Sequence, residues 1–416
     1  MNHFNYKNGL LHCEDTPLSA IAEAVGTPFY VYSSATLSRH FKAVDEAFSD
    51  IDHITCFAVK SCSNIAVLNL FSSLGGGADI VSGGELFRAL RAGVDPQKIV
   101  YSGVGKTVEE LRYALNSQIL MFNVESIQEL QTLQQTAAAL GRTAPVALRV
   151  NPDVDPQTHA YISTGLAKNK FGIPIAAAAQ IYAEAREMPN IKIAGVSCHI
   201  GSQLTTVAPF IESLHKVVDF VKELAAAGIN IRYLDMGGGL GIQYDTESPP
   251  PPEEYAAAIK EVLREVNDCA LIIEPGRVIV GNAGALVTKV LYTKEGTRKF
   301  IIVDAGMNDL ARPSLYDAYH EILPVIESQE TAEADIVGPI CESGDFLARG
   351  RLAPLAGPHD LLAVMSAGAY GFTMSSNYNS RPRVAEVMVH QREFSVIRKR
   401  ETFADLIRGE AIPEFS

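Results

Sequence analysis

Eight short apolar runs, most of them followed by a segment with helical periodicity, constrain the fold of this chain more than any other feature. Each run has the length and apolar character of a buried strand. The runs are Ile54–Val59, Ala78–Ser82, Ile99–Ser102, Ile119–Val124, Pro145–Val150, Ile193–His199, Ile231–Met236 and Leu271–Glu274. Strands that alternate with helices predict a parallel sheet. Eight such units favour a closed (β/α)8 barrel of the TIM type, although strand counting alone also permits an open doubly wound sheet.

The pattern changes after about residue 280, where helical stretches become short and strands dominate. The strands predicted there are Ala285–Tyr292, Lys299–Asp304, Asp360–Met365, Arg383–His390 and Glu393–Lys399. We therefore predict an α/β chain with a barrel over residues 26–280. A second, mostly β domain, of the β-sandwich or barrel-like kind, combines residues 1–25 with 281–416, because chain ends are often neighbours.

Composition excludes several classes of function. The chain has 48 acidic and 35 basic residues, a net charge of −13, and no basic stripe, which argues against a nucleic-acid partner. No apolar stretch is long enough to predict a membrane span, and the N-terminus does not resemble a secretory signal. The six cysteines form no CxxC pair, so neither a metal site nor a disulfide scaffold is indicated. A cytoplasmic protein is the expectation.

Lys60 ends the first of the predicted strands. The carboxyl ends of the strands are where α/β barrels place their chemistry, and a lysine amine there can form a Schiff base with a carbonyl compound. By position alone, a lysine that merely leaves the core at the end of a strand is the more frequent case.

Three other strand ends carry reactive or anion-binding groups. His199 ends the sixth strand, the glycine-rich segment Gly237–Gly241 follows the seventh, and Glu274 with Arg277 follows the eighth. Backbone N–H groups of a glycine-rich loop can approach a phosphate. A carboxylate can hold a proton on the nitrogen of a bound heterocycle. The alternatives are a structural histidine, a tight turn and a surface Glu–Arg pair.

The order of the motifs resembles that of the barrel-type pyridoxal phosphate decarboxylases over nearly the whole chain. The segments concerned are Lys60, His199–Ser202, Gly237–Gly239, Glu274–Arg277, Cys341–Asp345 and Gly368–Gly371. Within this family, the segments Asp304–Tyr316 and Ser380–Arg383 are similar to those of the diaminopimelate decarboxylases. One departure is Ser61-Cys62, where Ala-Asn is more usual, and we expect it to be neutral.

The resemblance implies a role for each site residue. Lys60 would hold pyridoxal 5′-phosphate as an aldimine, with His199 stacked on the ring and Glu274 at its nitrogen. The implied cofactor-binding residues are Lys60, His199, Ser202, Gly238, Glu274, Gly276, Arg277 and Tyr370. The implied substrate-binding residues are Arg277, Arg312, Tyr316, Glu342 and Tyr370. The implied catalytic residues are Lys60, His199, Cys341 and Glu342. Cys341, as proton donor, and Glu342 would come from the partner subunit of a homodimer with shared active sites.

The implied reaction is decarboxylation of meso-2,6-diaminopimelate to L-lysine and CO2, the last step of lysine biosynthesis. Arg312 suits the distal carboxylate of this substrate, which ornithine lacks. Glu274 argues against an amino-acid racemase, and Cys341 against a carrier that only binds the cofactor. A related basic amino-acid or carboxypolyamine decarboxylase is the alternative. Residues 151–172 form a candidate lid.

Overall fold

The computed structural model describes residues 2–155, 170–266 and 268–415. The chain divides into two compact units, Met1–Leu37 with Val280–Ser416, and Ser38–Ile279. The barrel unit thus begins at Ser38 rather than at the predicted residue 26, because an early strand, Phe29–Ser33, belongs to the other unit. The candidate lid falls mostly on residues 156–169, which lie outside the described residues.

Eight parallel strands close into a barrel in the unit Ser38–Ile279. In chain order they are His53–Ala58, Gly77–Ile80, Ile99–Tyr101, Met121–Val124, Ala144–Asn151, Ile191–Ser197, Tyr233–Asp235 and Ala270–Ile273; they are called the first to eighth barrel strands below. Each strand pairs with its neighbour, and the eighth pairs with the first, which closes the sheet. The predicted (β/α)8 barrel is therefore confirmed.

Helices follow the barrel strands, as the periodicity predicts. They are Ile65–Ser73, Gly83–Arg91, Val108–Ser117, Ile127–Ala139, Ile175–Arg186, Ala208–Ala226, Pro252–Leu263 and Arg277–Val280, and Ser34–Glu46 precedes the first strand. Side-chain caps fix where several helices begin: the hydroxyls of Ser82, Thr107 and Ser126 each accept the backbone N–H three residues later, at 3.2 Å. Such caps satisfy N–H groups that the first helical turn leaves without partners.

The other unit is mostly β, as predicted. Its main sheet contains, in spatial order, Phe346–Pro354, Thr331–Val337, Lys299–Val303, Gly284–Glu295, Phe29–Ser33, Ala385–His390 and Glu393–Arg398. Leu361–Val364 pairs with Gly284–Glu295 and with Ile322–Pro324. Phe4–Lys7, Leu10–Cys13 and Thr16–Pro17 form a small separate sheet, and short helices occur at Leu18–Val25, Arg312–Tyr316 and Phe403–Leu406.

The strand Phe29–Ser33 shows why the sequence boundary is displaced. All five of its residues are buried. It pairs antiparallel with Gly284–Val287 and parallel with Ala385–Val389, both far away in sequence. A single apolar strand contains no local signal of its partners, so its assignment to a sheet depends on long-range pairing.

The N-terminal segment supplies part of the same hydrophobic core. Leu11 and Cys13 from the small sheet, and Leu18 and Ile21 from the first helix, are buried in a cluster that includes Val387. Each buried aliphatic side chain of this kind contributes about 1.5–3 kcal/mol relative to its exposed state. Among the described residues, no helix has the length and hydrophobicity needed to cross a membrane.

Asp309 makes the stability of this unit dependent on pH. Its buried carboxylate accepts the N–H of Gly306 and the side-chain amide of Asn308, and burial raises its pKa to about 7. The folded state therefore holds the proton more tightly than the unfolded chain does. The stability from this protonation is complete below the usual pKa of 3.8 and is lost as the pH rises through 7.

Asp309→Asn should remove this dependence. We expect its free energy of unfolding at pH 8 to exceed that of the wild type by on the order of 2 kcal/mol, with little difference at pH 4. Denaturant titrations at several pH values measure it, with the exposed Asp317→Asn as the matched control. Parallel pH profiles for wild type and Asp309→Asn would contradict the prediction.

Candidate active site

A cavity of about 520 Å³ opens where the barrel strands end at their carboxyl sides. This is a usual size for a small-molecule site and the usual place for one in a barrel. The residues that line it are Lys60, Val81, Ser82, Ser102, Gly103, Val104, Gly105, Glu110, Arg149, Phe171, Ser197, His199 and Glu274. Three of the predicted site residues, Lys60, His199 and Glu274, thus share one cavity.

Lys60 lies in a short 3-10 turn, Val59–Ser61, directly after the first barrel strand. Its ammonium group forms an ion pair with Asp79, which lies in the second barrel strand. The Asp79 carboxylate is completely buried, whereas the lysine side chain is one-third exposed. The pair leaves the lysine nitrogen at the cavity wall, where a bound carbonyl compound could reach it.

Glu274 follows the eighth barrel strand and is buried. Ser102 Oγ lies 3.5 Å from its Oε1. Burial, followed by the negative charges of Asp235 and Asp79, raises the pKa of Glu274 well above its usual value. The neutral, protonated form of this side chain is thereby favoured, and a cation placed beside it would draw it toward the ionised form.

His199 follows the sixth barrel strand and is held as a neutral ring. Burial, followed by the charges of Arg149 and Lys60, lowers its pKa well below the usual value. The N–H of Gly238 donates to His199 Nδ1 at 3.2 Å, so Nδ1 is the acceptor nitrogen. A neutral, oriented imidazole can pack against a flat ring without adding a second positive charge.

The glycine-rich loop after the seventh strand requires glycine at two positions for different reasons. Gly237 has a left-handed φ of +66°, which favours glycine. A Cβ at Gly238 would lie 2.1 Å from the carbonyl oxygen of Glu274, so no other residue fits there. The loop thereby packs its backbone directly against the turn that carries Glu274.

Arg277 begins the short helix after the eighth strand, and its buried guanidinium is held on two sides. Nη1 donates to the Tyr244 hydroxyl at 2.8 Å and Nη2 donates to Ser202 Oγ at 3.0 Å. A fixed guanidinium beside a serine hydroxyl is a suitable group for a phosphate or a carboxylate. Two of the predicted site residues, Ser202 and Arg277, are thus in contact.

The remaining predicted residues belong to the mostly β unit. Arg312 is buried in the helix Arg312–Tyr316 and donates to His320 Nε2 at 2.8 Å, while His320 Nδ1 donates to the Met365 carbonyl at 2.8 Å. Tyr316 and Tyr370 are half-buried. Cys341 and Glu342 are exposed neighbours in a turn, and the N–H of Cys341 donates to the side chain of Asn379.

Sequence reasoning missed several residues of the cavity. Ser102 and Arg149 line the cavity, and Asp79 pairs with Lys60. Ser102 directly follows the third barrel strand, so the strand-end rule that identified Lys60 would have found it, whereas Asp79 and Arg149 lie within their strands. The segment Gly103–Lys106 follows the third barrel strand. Its glycines line the cavity, while Lys106 is buried in an ion pair with Glu129.

The cavity fits pyridoxal phosphate by its chemistry. It offers an amine for the aldehyde, a carboxyl group for the ring nitrogen and a neutral imidazole for the ring face. Asp79 Oδ1 is buried without a hydrogen-bond partner among the described residues, as expected for a site completed by another group. Within those residues, no cluster of His, Cys, Asp and Glu is arranged to hold a metal ion.

Comparison with known proteins agrees with this geometry. Residues 34–281 match the family model of the pyridoxal-dependent decarboxylases, pyridoxal binding domain. The chain is 52% identical to the diaminopimelate decarboxylase of Vibrio cholerae over 415 residues, covering 99% of each chain.

Solved structures give the same result. The diaminopimelate decarboxylase of M. jannaschii in complex with L-lysine is 41% identical, with a TM-score of 0.94 and 99% of each chain covered. The Helicobacter pylori enzyme in complex with L-lysine is 43% identical, with a TM-score of 0.91, covering 94% of this chain and 98% of that one. This chain therefore belongs to the diaminopimelate decarboxylase family of pyridoxal-dependent decarboxylases.

Proposed function

We propose that this protein decarboxylates meso-2,6-diaminopimelate to L-lysine and CO2, as the last step of lysine biosynthesis, with pyridoxal 5′-phosphate attached at Lys60. The observation that carries the proposal is the cavity in which Lys60, His199 and Glu274 meet. Full-length similarity to diaminopimelate decarboxylases, two of them solved with L-lysine, supports the choice of substrate.

Pyridoxal phosphate, when bound, supplies an electron sink for the electron pair that remains when CO2 leaves. The chain's own residues prepare the site for it. Lys60 provides the amine, and its ion pair with Asp79 orients that amine. Glu274 would provide the carboxyl group for the ring nitrogen, and the neutral His199 would pack on the ring. Gly276 packs closely against the end of the first strand, because a Cβ at this position would lie only 3.1 Å from Ala58 Cβ.

The phosphate of the cofactor and the distal carboxylate of the substrate each require a cationic side chain. Arg277, held by Ser202 and Tyr244, suits the phosphate or a substrate carboxylate. The family resemblance adds Gly238 and Tyr370 to the phosphate site. Arg312, oriented by the neutral His320, suits the distal carboxylate, and Tyr316 lies on the same helix. A bidentate guanidinium distinguishes a substrate with this carboxylate from ornithine, which lacks it.

We assign the proton that replaces CO2 to the Cys341 thiol of a partner subunit, with Glu342 at the distal ammonium group. Both side chains are exposed in the single chain, which suits a role in a neighbouring subunit's site. A homodimer with shared active sites in the cytoplasm completes the proposal. The six free cysteines of the described residues agree with a reducing compartment.

The proposed function is tested by incubating the cofactor-loaded protein separately with meso-diaminopimelate, L-ornithine, L-arginine and L-lysine. CO2 and the amine product are measured for each. We expect CO2 and L-lysine from meso-diaminopimelate alone. CO2 from ornithine or arginine instead would indicate the related basic amino-acid decarboxylase. Absence of CO2 from all four would overturn the decarboxylase proposal.

Cys341→Ala should bind the cofactor normally but decarboxylate slowly. Removal of a general acid lowers kcat by on the order of a hundredfold or more. Steady-state CO2 release measures this, with the cofactor absorption band as a check on the site. Cys269→Ala, a half-buried thiol of the barrel unit, is the matched control. A Cys341→Ala enzyme with the wild-type kcat would remove the thiol from the proton-donor role.

A further inference from the structure

Asp235 is a completely buried carboxylate to which the proposed function assigns no role. It ends the seventh barrel strand, two residues before the glycine-rich loop. Its Oδ1 accepts the N–H of Gly237 at 2.9 Å, and its Oδ2 accepts the side-chain amide of Asn123 at 2.7 Å. Because donors approach both oxygens, the residue is fixed as a hydrogen-bond acceptor.

The third partner of Asp235 is Glu274, through a side-chain hydrogen bond. Two adjacent carboxyl groups can share such a bond only if one of them is protonated. Asp235 already accepts from two donors, so Glu274 is the member that donates. Burial is the largest cause that raises both pKa values, that of Asp235 to about 6 and that of Glu274 well above its usual value.

We propose that Asp235 is a positioning residue for the cofactor: its hydrogen bond orients Glu274 in the empty site, and its fixed negative charge then stabilises the proton that the pair delivers to the ring nitrogen. The inference rests on the proposed function for the identity of the cofactor. One proton moves from the Glu274–Asp235 pair to the ring nitrogen, which becomes cationic, while the pair becomes fully ionised. No other reactant is needed.

The charges around the pair favour this transfer. Asp79 adds a third buried carboxylate, and Lys60 is the ammonium group that offsets it. Cys56 and Cys198 are buried thiols near Asp235, and its charge contributes to the raised pKa of each. Arg149 acts on the same region but is paired with Glu125. The three carboxyl groups of Asp79, Asp235 and Glu274 carry more negative charge than the Lys60 ammonium group offsets. This excess stabilises an added proton, first on Glu274 and then on the ring.

The direct test compares wild type with Asp235→Asn, both loaded with pyridoxal phosphate labelled with 15N in the ring. Asn123 Oδ1 is buried without a partner among the described residues, so reversal of the Asn123 amide can accommodate the new side chain. Asp45→Asn is the control, because Asp45 is bonded to Thr55 and His53 of the first barrel strand. The ring 15N chemical shift is followed by solid-state NMR over a pH series.

We expect the wild type and Asp45→Asn to keep the upfield pyridinium shift to a higher pH than Asp235→Asn does. In the wild type, the infrared band of a protonated carboxyl group should disappear when the cofactor is added. With substrate, kcat of Asp235→Asn should fall about tenfold or more with KM unchanged, as for other residues that support a catalytic group.

Identical 15N profiles for Asp235→Asn and the wild type would overturn the inference, and so would an infrared difference spectrum that shows no loss of a protonated carboxyl group when the cofactor binds. These measurements need no substrate. If the 15N and infrared measurements give the expected results while meso-diaminopimelate yields no CO2, the proposed function fails and the inference stands.

Discussion

Replacement of Lys60 by alanine should abolish decarboxylation of meso-diaminopimelate and covalent attachment of pyridoxal phosphate. The loss of kcat should be on the order of a thousandfold or more, as for the removal of other covalent catalysts. The reason is chemical: an alanine supplies no amine. CO2 release gives the kinetic effect. Reduction with borohydride followed by peptide mass spectrometry shows whether the cofactor is attached at position 60.

A second variant separates chemistry from stability. Lys60→Ala leaves the completely buried Asp79 carboxylate without its ion-pair partner, which should lower the free energy of unfolding. Lys60→Arg keeps the positive charge for Asp79 but cannot form the same bond to an aldehyde. It should therefore fold normally and remain inactive. Lys222→Ala, an exposed lysine paired with Glu265, is the control and should be fully active.

Near-normal turnover in Lys60→Arg would refute the role of the Lys60 amine. Loss of activity in the Lys222→Ala control would instead indicate a general effect of the substitution. Thermal unfolding of all three variants shows whether any loss of activity reflects loss of folded protein.

Arg312→Ala should mainly weaken binding of the substrate. Removal of a buried cation that binds the distal carboxylate costs about 2–5 kcal/mol, which corresponds to a rise in KM of roughly 30-fold to several thousandfold. The kcat at saturating substrate should change much less, because the reacting end of the substrate is distant from this group. Steady-state kinetics with meso-diaminopimelate measure both constants.

Arg312→Lys tests the geometry of the guanidinium. The Arg312 side chain is buried and oriented by His320, which itself donates to the Met365 carbonyl. A lysine keeps the charge but loses the bidentate fork, so KM should lie between those of wild type and Arg312→Ala. Arg264→Ala, an exposed arginine paired with Glu261, is the control. An unchanged KM in Arg312→Ala would exclude this residue from the distal site.

Local sequence patterns were sufficient for most of the barrel. Each predicted barrel strand overlaps an observed one, because eight apolar runs alternate with amphipathic helices and each element carries its own periodicity. Predictions made from strand ends placed Lys60, His199 and Glu274 in a common site, because parallel strands of a barrel present their carboxyl ends on the same face. The lining of a single cavity by these three residues agrees with that expectation.

The parts of the fold that sequence patterns did not predict depend on hydrogen bonds between strands that are far apart in the chain. Phe29–Ser33 belongs to the mostly β unit because its hydrogen bonds go to strands far away in the chain. Two strands of that unit, Thr331–Val337 and Phe346–Pro354, were also missed. They pair with each other, and only a few residues of each are buried, so the apolar signal is weak.

The sequence by itself determined the alternation of strands and helices, the positions of the strand-end side chains and the resemblance to a family. Only the tertiary structure decided that Asp79 pairs with Lys60 and that Asp235 bonds both Glu274 and Asn123. The physical reason is that protonation depends on burial and on neighbouring charges. Those neighbours come from different barrel strands, and the closure of the barrel is what brings them into contact.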